Sequence, residues 1–381
     1  MRFRAIRPAM HIFIVTRGYP SAERLYNHAF VHRRVLAYRE RGHRVTVIWL
    51  HRRPPQAEYE FDGVPVLMRT ADDCVEVIRQ QRPDVVALHA PADDFAPVIE
   101  NVPLDIPVNG WIYGSEIMPF YEVTERREHN EKRWLKAKAV FERRIAYWRR
   151  LAADWPANFR MVFVSQFAAD EAFRAVGREL PRWTVSPSPV DTELFRYSEK
   201  QADDRFKVLS IRPFSDWRYA NDLSVEAILL LAEKPGFDRF HFHILGEGYL
   251  FEEILAPIRH LPNVRVEQRF LTQFDVAKMH QAAGIFLCPT RNDAQGVTRD
   301  EAMSSGLVPV TNAAGAVPEF ADESCAWLAL PEESGTIARG LQALADDPAL
   351  FLRLSSAAAR RVRARLSIGK IVAHEEVLMK S

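Results

Sequence analysis

The sequence predicts an α/β protein built from two doubly wound parallel sheets. Short β-rich apolar runs alternate with helical stretches, and the alternation restarts near residue 205. A Pro-rich, turn-forming stretch followed by a charged one separates the two halves. In the first half, residues 11–16, 45–50, 64–68, 85–89, 108–113 and 161–165 read as strands. Helices are expected over residues 21–41 and 72–81. Strands joined by helical crossovers run parallel and are covered on both faces. The second half repeats the pattern with strands at 207–211, 240–245, 264–266, 285–288, 308–311 and 326–330. From residue 334 the chain reads as helical, and its amphipathic last segment, 368–379, suits packing back onto the first domain. The expected organisation is a first Rossmann-like domain over 1–190, a second over 191–366, and a returning helix in 367–381. Ligands of such sheets bind at the carboxyl ends of the strands, so the expected site is a cleft between the domains.

Composition narrows the class. The chain has 381 residues, 48% hydrophobic and 27% charged, with a net charge of +1, so nothing in its balance points to nucleic acid. Cys74, Cys288 and Cys325 are far apart and lack metal-ligand spacing, which fits a reduced, cytoplasmic setting. The apolar run after the basic N-terminus is short and reads as a strand rather than a signal peptide, and no segment approaches the ~20 apolar residues of a membrane span. Residues 122–150 hold ten Lys and Arg against five Glu, with Trp134, Phe141, Ile145 and Trp148 at near-helical spacing. A core helix with a solvated basic face is favoured there. Peripheral contact with anionic lipid at the inner membrane face is the alternative.

The chemistry concentrates in residues 289–319. Asp293 and Glu301 stand eight positions apart across a small-residue turn, with Glu301 expected in the first turn of a helix. Gln295, Gly296, Val297 and Thr298 fall where the loop enters that helix, and the free N–H groups and dipole of a helix N-terminus attract a diphosphate. Glu301 is suited to accept from ribose hydroxyls, and Asp293 to reach a hexose hydroxyl.

Four blocks in order, at residues 186–195, 208–222, 242–254 and 289–319, resemble the second domain of retaining GT-B glycosyltransferases, the large family (glycosyltransferase family 4-like) that includes bacterial lipopolysaccharide and capsule glucosyl- and mannosyltransferases. The resemblance implies that Arg212 and Arg218 clamp the donor pyrophosphate, with Arg218 standing where lysine is usual. Asp293 and Glu301 match the family's paired glutamates, the first one methylene shorter. Gly246, Glu247 and Gly248 would turn beside the base, and Arg269 and Phe270 would frame its edge. Tyr113 falls where many relatives carry a histidine, which leaves His89 as the nearest imidazole. Gly18 lets the first strand's exit loop approach a ligand, and Tyr26, Asn27, His28, His32 and Arg33 follow on the acceptor side. The implied activity is metal-independent hexosyl transfer from a nucleoside diphosphate sugar to a glycan or glycolipid hydroxyl, with no further cofactor. A sugar-nucleotide epimerase, a phosphorylase-like enzyme or a catalytically silent binding protein on the same fold are the alternatives.

Overall fold

A computed structural model of the protein describes residues 9–25, 27–51, 57–119, 122 and 130–380. The chain forms two compact units. Unit 1 takes Met1–Met118, Ala139–Pro187 and Ile368–Ser381, and unit 2 takes Pro119–Lys138 and Ser188–Ser367.

Among the described residues unit 1 holds eight strands: β1 His11–Thr16, β2 Arg44–Leu50, β3 Ala57–Phe61, β4 Val64–Arg69, β5 Val85–His89, β6 Val108–Ile112, β7 Phe159–Phe163 and β8 Trp183–Val185. Their order in the sheet is β3-β4-β2-β1-β5-β6-β7-β8. The central strands are parallel, with Ile14 opposite both Val47 and Ala87. Strand β5 is buried at every position, as a strand covered on both faces must be. The β3–β4 hairpin is antiparallel, turning through Asp62 and Gly63 with φ of 49° and 71°. Two positive φ values suit a tight two-residue hairpin turn.

Unit 2 holds β9 Lys207–Ile211, β10 His241–Gly246, β11 Val264–Gln268, β12 Ile285–Leu287, β13 Val308–Asn312 and β14 Trp327–Ala329, all parallel, in the order β11-β10-β9-β12-β13-β14. The order reverses between β9 and β12, which makes the carboxyl ends of these two strands the switch point.

Three local expectations are corrected. The first helix spans Ala29–Glu40 and does not begin at residue 21. Just before it the Thr16 hydroxyl meets His28 Nδ1 at 2.9 Å, and His28 takes a left-handed φ of 54°. Strand β7 ends at Phe163, two residues early, because Ser165 caps the helix Gln166–Val176 by accepting from the Ala168 N–H. Strands β3 and β8 were not anticipated. One alternates with charged residues and the other has three residues, and both lie at sheet edges.

Candidate functional site

In unit 2 the site grows from two loops at the β9/β12 switch point. The loop after β9 carries Arg212, and the turn after β10 makes room for it. A Cβ on Gly246 would lie 1.9 Å from the Arg212 carbonyl oxygen, and one on Gly248 2.1 Å from the carbonyl carbon of Phe214. The Glu247 carbonyl accepts the Phe214 N–H at 2.8 Å. The two glycines therefore serve first as close-approach positions that fix the arginine loop. Arg212 is buried. One terminal nitrogen reaches the Thr298 hydroxyl at 3.3 Å, and its Nε has no partner among the described residues.

Arg218 sits in the short turn Trp217–Tyr219, capped by Asp216, which accepts the Arg218 N–H at 2.9 Å. Burial opposes its charge, but Tyr219, Asp216 and Asp293 outweigh this and raise its pKa. The Tyr219 ring lies 5.1 Å from the Arg212 guanidinium and 5.0 Å from that of Arg218, a spacer between two like charges that sequence reasoning did not single out.

The second loop is tied to the first, since the Arg218 carbonyl accepts from the Thr290 hydroxyl at 3.1 Å and from the Arg291 N–H at 2.8 Å. Asp293 Oδ1 accepts the Gln295 N–H, and the Asp293 carbonyl accepts the Ala316 N–H at 2.9 Å. Gly315 permits that contact, because a Cβ there would meet the Asp293 backbone at 2.7 Å. The Gln295 side chain is committed to the scaffold: it accepts the Ser188 N–H at 2.6 Å and donates to the Ser188 carbonyl and to Asp300.

The helix Val297–Ser304 starts from Gly296 at φ 92°. The backbone N–H groups of Val297, Thr298 and Arg299 have no acceptor among the described residues. Glu301 is the fifth helical residue, one turn further in than expected, and is buried; Asp300 occupies the first turn instead. Asp300 is enclosed and paired with Arg299 at 2.7 Å, and burial pushes its carboxyl up despite the guanidinium. Sequence reasoning missed this buried pair. Arg269 is turned onto Glu267 at 2.7 Å, and Phe270 is exposed.

Residues 205–347 match the family model described as glycosyl transferases group 1. This segment is a glycosyltransferase domain. No curated protein gives a significant sequence match. Solved structures share the GT-B fold across the chain at low identity. A sucrose-phosphate synthase from Thermosynechococcus elongatus has a TM-score of 0.72 at 14% identity, covering 97% of this chain and 98% of its own. A glycosyltransferase from Rickettsia africae has 0.71 at 12%, covering 98% of each. HepE of Anabaena, solved with UDP-glucose, has 0.69 at 15%, covering 98% of this chain and 100% of its own. The matched segment contains Arg212, Arg218, Gly246, Gly248, Asp293, Gln295 and Glu301, and Ser188 lies before it.

Unit 1 gathers a second group at the carboxyl ends of β1, β5 and β6. His89 Nδ1 and the Tyr113 hydroxyl are 2.7 Å apart, and the His89 ring stacks on Trp111. The buried Glu116 carboxylate accepts the N–H groups of Tyr113 and Gly114 at 2.9 and 2.8 Å, which fixes the loop beyond β6. Burial, then the charges of Arg34 and His28, hold His89 well below its ordinary pKa, so the imidazole is neutral. Burial raises the Tyr113 phenol, which stays protonated. Gly18 lies in the β1 exit loop, where a Cβ would collide with the Asn27 side chain at 2.2 Å. His32 links Tyr19, at 2.6 Å, to Asp62, at 3.0 Å. Tyr26 falls outside the described residues. Among the described residues no group of three His, Cys, Asp or Glu is placed to hold a metal ion, and no helix is long and apolar enough to cross a membrane.

Proposed function

We propose that the protein is a retaining glycosyltransferase that moves a hexosyl group from a nucleoside diphosphate sugar to a hydroxyl of a cell-surface glycan or glycolipid precursor at the cytoplasmic side. The observation that carries this reading is the meeting of Arg212 with Thr298 at the N-terminus of the helix Val297–Ser304, beside the Arg218–Asp293 loop pair. Two guanidiniums and the helix's unpaired N–H groups form a cradle for a diphosphate. As the glycosidic C–O bond to the diphosphate breaks, these groups stabilise the leaving charge. That supports chemistry with no metal and no cofactor beyond the donor. Glu301 is assigned to the ribose and Asp293 to the transferred sugar, while Gly246, Glu247, Gly248, Arg269 and Phe270 flank the base. The leaving phosphate, as the nearest base, accepts the acceptor's proton on the face it departs from, so configuration is retained. Tyr113 and His89 are assigned to the sugar and acceptor side. Tyr113, held as a phenol, acts there as a hydrogen-bond donor and not as a base.

The bound states of neighbours agree with a nucleotide-sugar donor: HepE was solved with UDP-glucose, and a Staphylococcus aureus TarM variant with UDP and a GlcNAc-glycerol. Incubation with UDP-, GDP- and ADP-sugars, with and without EDTA, followed by NMR of the product's anomeric centre, tests the reading. It expects a glycoside of unchanged configuration, formed equally with EDTA. An inverted product, an epimerised free nucleotide sugar, or dependence on a divalent ion would contradict it.

Lipid contact remains the second reading of the helix Glu131–Ala153, through Lys132 and Lys136, which are exposed on it, beside the core-helix reading that its buried Ile145, Trp148 and Leu151 support. Arg143 and Arg150 on that helix are already paired with Asp93 and Glu100. Flotation with anionic and neutral liposomes decides this point, and absence of binding to the anionic ones rules it out.

A further inference from the structure

We infer that Glu375, on the chain's last helix, is a positioning residue for the Tyr113–His89 pair and acts through Arg34. This rests on the reading of Tyr113 and His89 as substrate-side groups. The helix Ile368–Met379 docks in unit 1 through apolar residues such as Ile371, Val372 and Met379, yet it also places a fully buried carboxylate. Docking alone does not call for a charge at that position, because an enclosed carboxylate is costly unless its lone pairs are taken. They are taken by the Arg34 Nε at 3.1 Å, the Trp111 indole N–H at 3.1 Å and the Tyr38 hydroxyl.

The same arginine continues the connection. Its guanidinium lies 5.7 Å from the centre of the Tyr113 ring, and the Tyr113 hydroxyl meets His89 Nδ1. Trp111, the second donor to Glu375, stacks on His89. Two routes therefore lead from one carboxylate to the pair, one through a cation and one through a ring. One Arg34 terminal nitrogen and His89 Nε2 are buried with no partner among the described residues, so neither group is anchored from another side at those atoms. With the Glu375 charge removed, Arg34 faces Tyr113 and His89 uncompensated, and both rings lose their fixed orientation. The adjacent Glu376 provides an internal control. It is also buried on the same helix, but it holds Arg41 and His43.

The test compares Glu375→Gln with Glu376→Gln in the full-length protein. NMR of histidine- and tyrosine-labelled protein, with signals assigned by Tyr113→Phe and His89→Gln, should show the His89 and Tyr113 resonances displaced in Glu375→Gln and unchanged in Glu376→Gln. Turnover of the donor should fall tenfold or more in Glu375→Gln, with the Kd for UDP or GDP within twofold of the parent. Adding Glu375→Gln to Tyr113→Phe should cost less than twofold further. Equal losses in the two glutamine variants, or unmoved resonances in Glu375→Gln, would overturn the inference. Should Glu375→Gln not fold, Arg34→Lys is read in the same way. A parent protein that binds and turns over no nucleotide sugar defeats the functional reading instead, and the NMR comparison still decides whether Glu375 orients the pair.

Discussion

On the proposed reading, Arg212 is the residue on which donor binding depends most. A charge-assisted hydrogen bond to phosphate contributes about 1.5–3 kcal/mol, so Arg212→Ala should weaken binding of the preferred nucleoside diphosphate roughly 10- to 150-fold. Titration calorimetry on the folded variant measures this directly. Asp300→Asn probes a different kind of residue. It leaves the buried Arg299 without its counter-charge and should destabilise unit 2 by about 3–5 kcal/mol in denaturant melts. The sequence pointed to Arg212, Asp293 and Glu301 because their order and spacing are local signals. It could not point to Arg299–Asp300 or Tyr219, because their importance lies in which way side chains face once the two loops meet.

At the scale of elements, the site depends on loops that approach one another more closely than a Cβ allows. Gly246→Ala places a methyl against the Arg212 carbonyl, so it should lower stability and abolish the response to nucleoside diphosphate together. Thermal shift with and without ligand reads both effects. The helix Gln273–Ala282 brings a pH dependence. His280 is buried beside Ser305 and held neutral down to about pH 3 by burial, and then by Lys200. Between the ordinary value of 6.5 and about 3 the unfolded chain binds the extra proton, so stability falls as pH falls through that window. At pH 5 the loss is about 2 kcal/mol relative to pH 8, and His280→Gln should flatten the stability–pH curve there. Most strands were legible because buried parallel strands are continuous apolar runs. The start of the first helix was not, because residues 21–28 favour helix locally, whereas Thr16 holds His28 and Asn27 packs close on Gly18 in the β1 exit loop.

At the scale of the whole molecule, the chain's end belongs to unit 1. Glu375 and Glu376 pair with Arg34 and Arg41, so a chain stopped after residue 367 strips both arginines of their carboxylates and uncovers the apolar surface that Ile371, Val372 and Met379 cover. A loss of about 3–5 kcal/mol should lower the first unit's melting temperature by roughly 10 °C, visible by calorimetry. The amphipathic pattern of residues 368–379 signalled docking, whereas the two buried carboxylates read as surface charges until their partners, more than 300 residues away, are known. The paired-acid turn and the arginine loop are the centre of the functional account. Titration of the parent protein, Arg212→Ala and Glu301→Ala with UDP, GDP and ADP tests it most directly. The account predicts saturable binding of at least one of these nucleotides to the parent and its weakening by about tenfold or more in both folded variants. Parent-like binding in both variants, or no binding of any of the three to the parent, would contradict it.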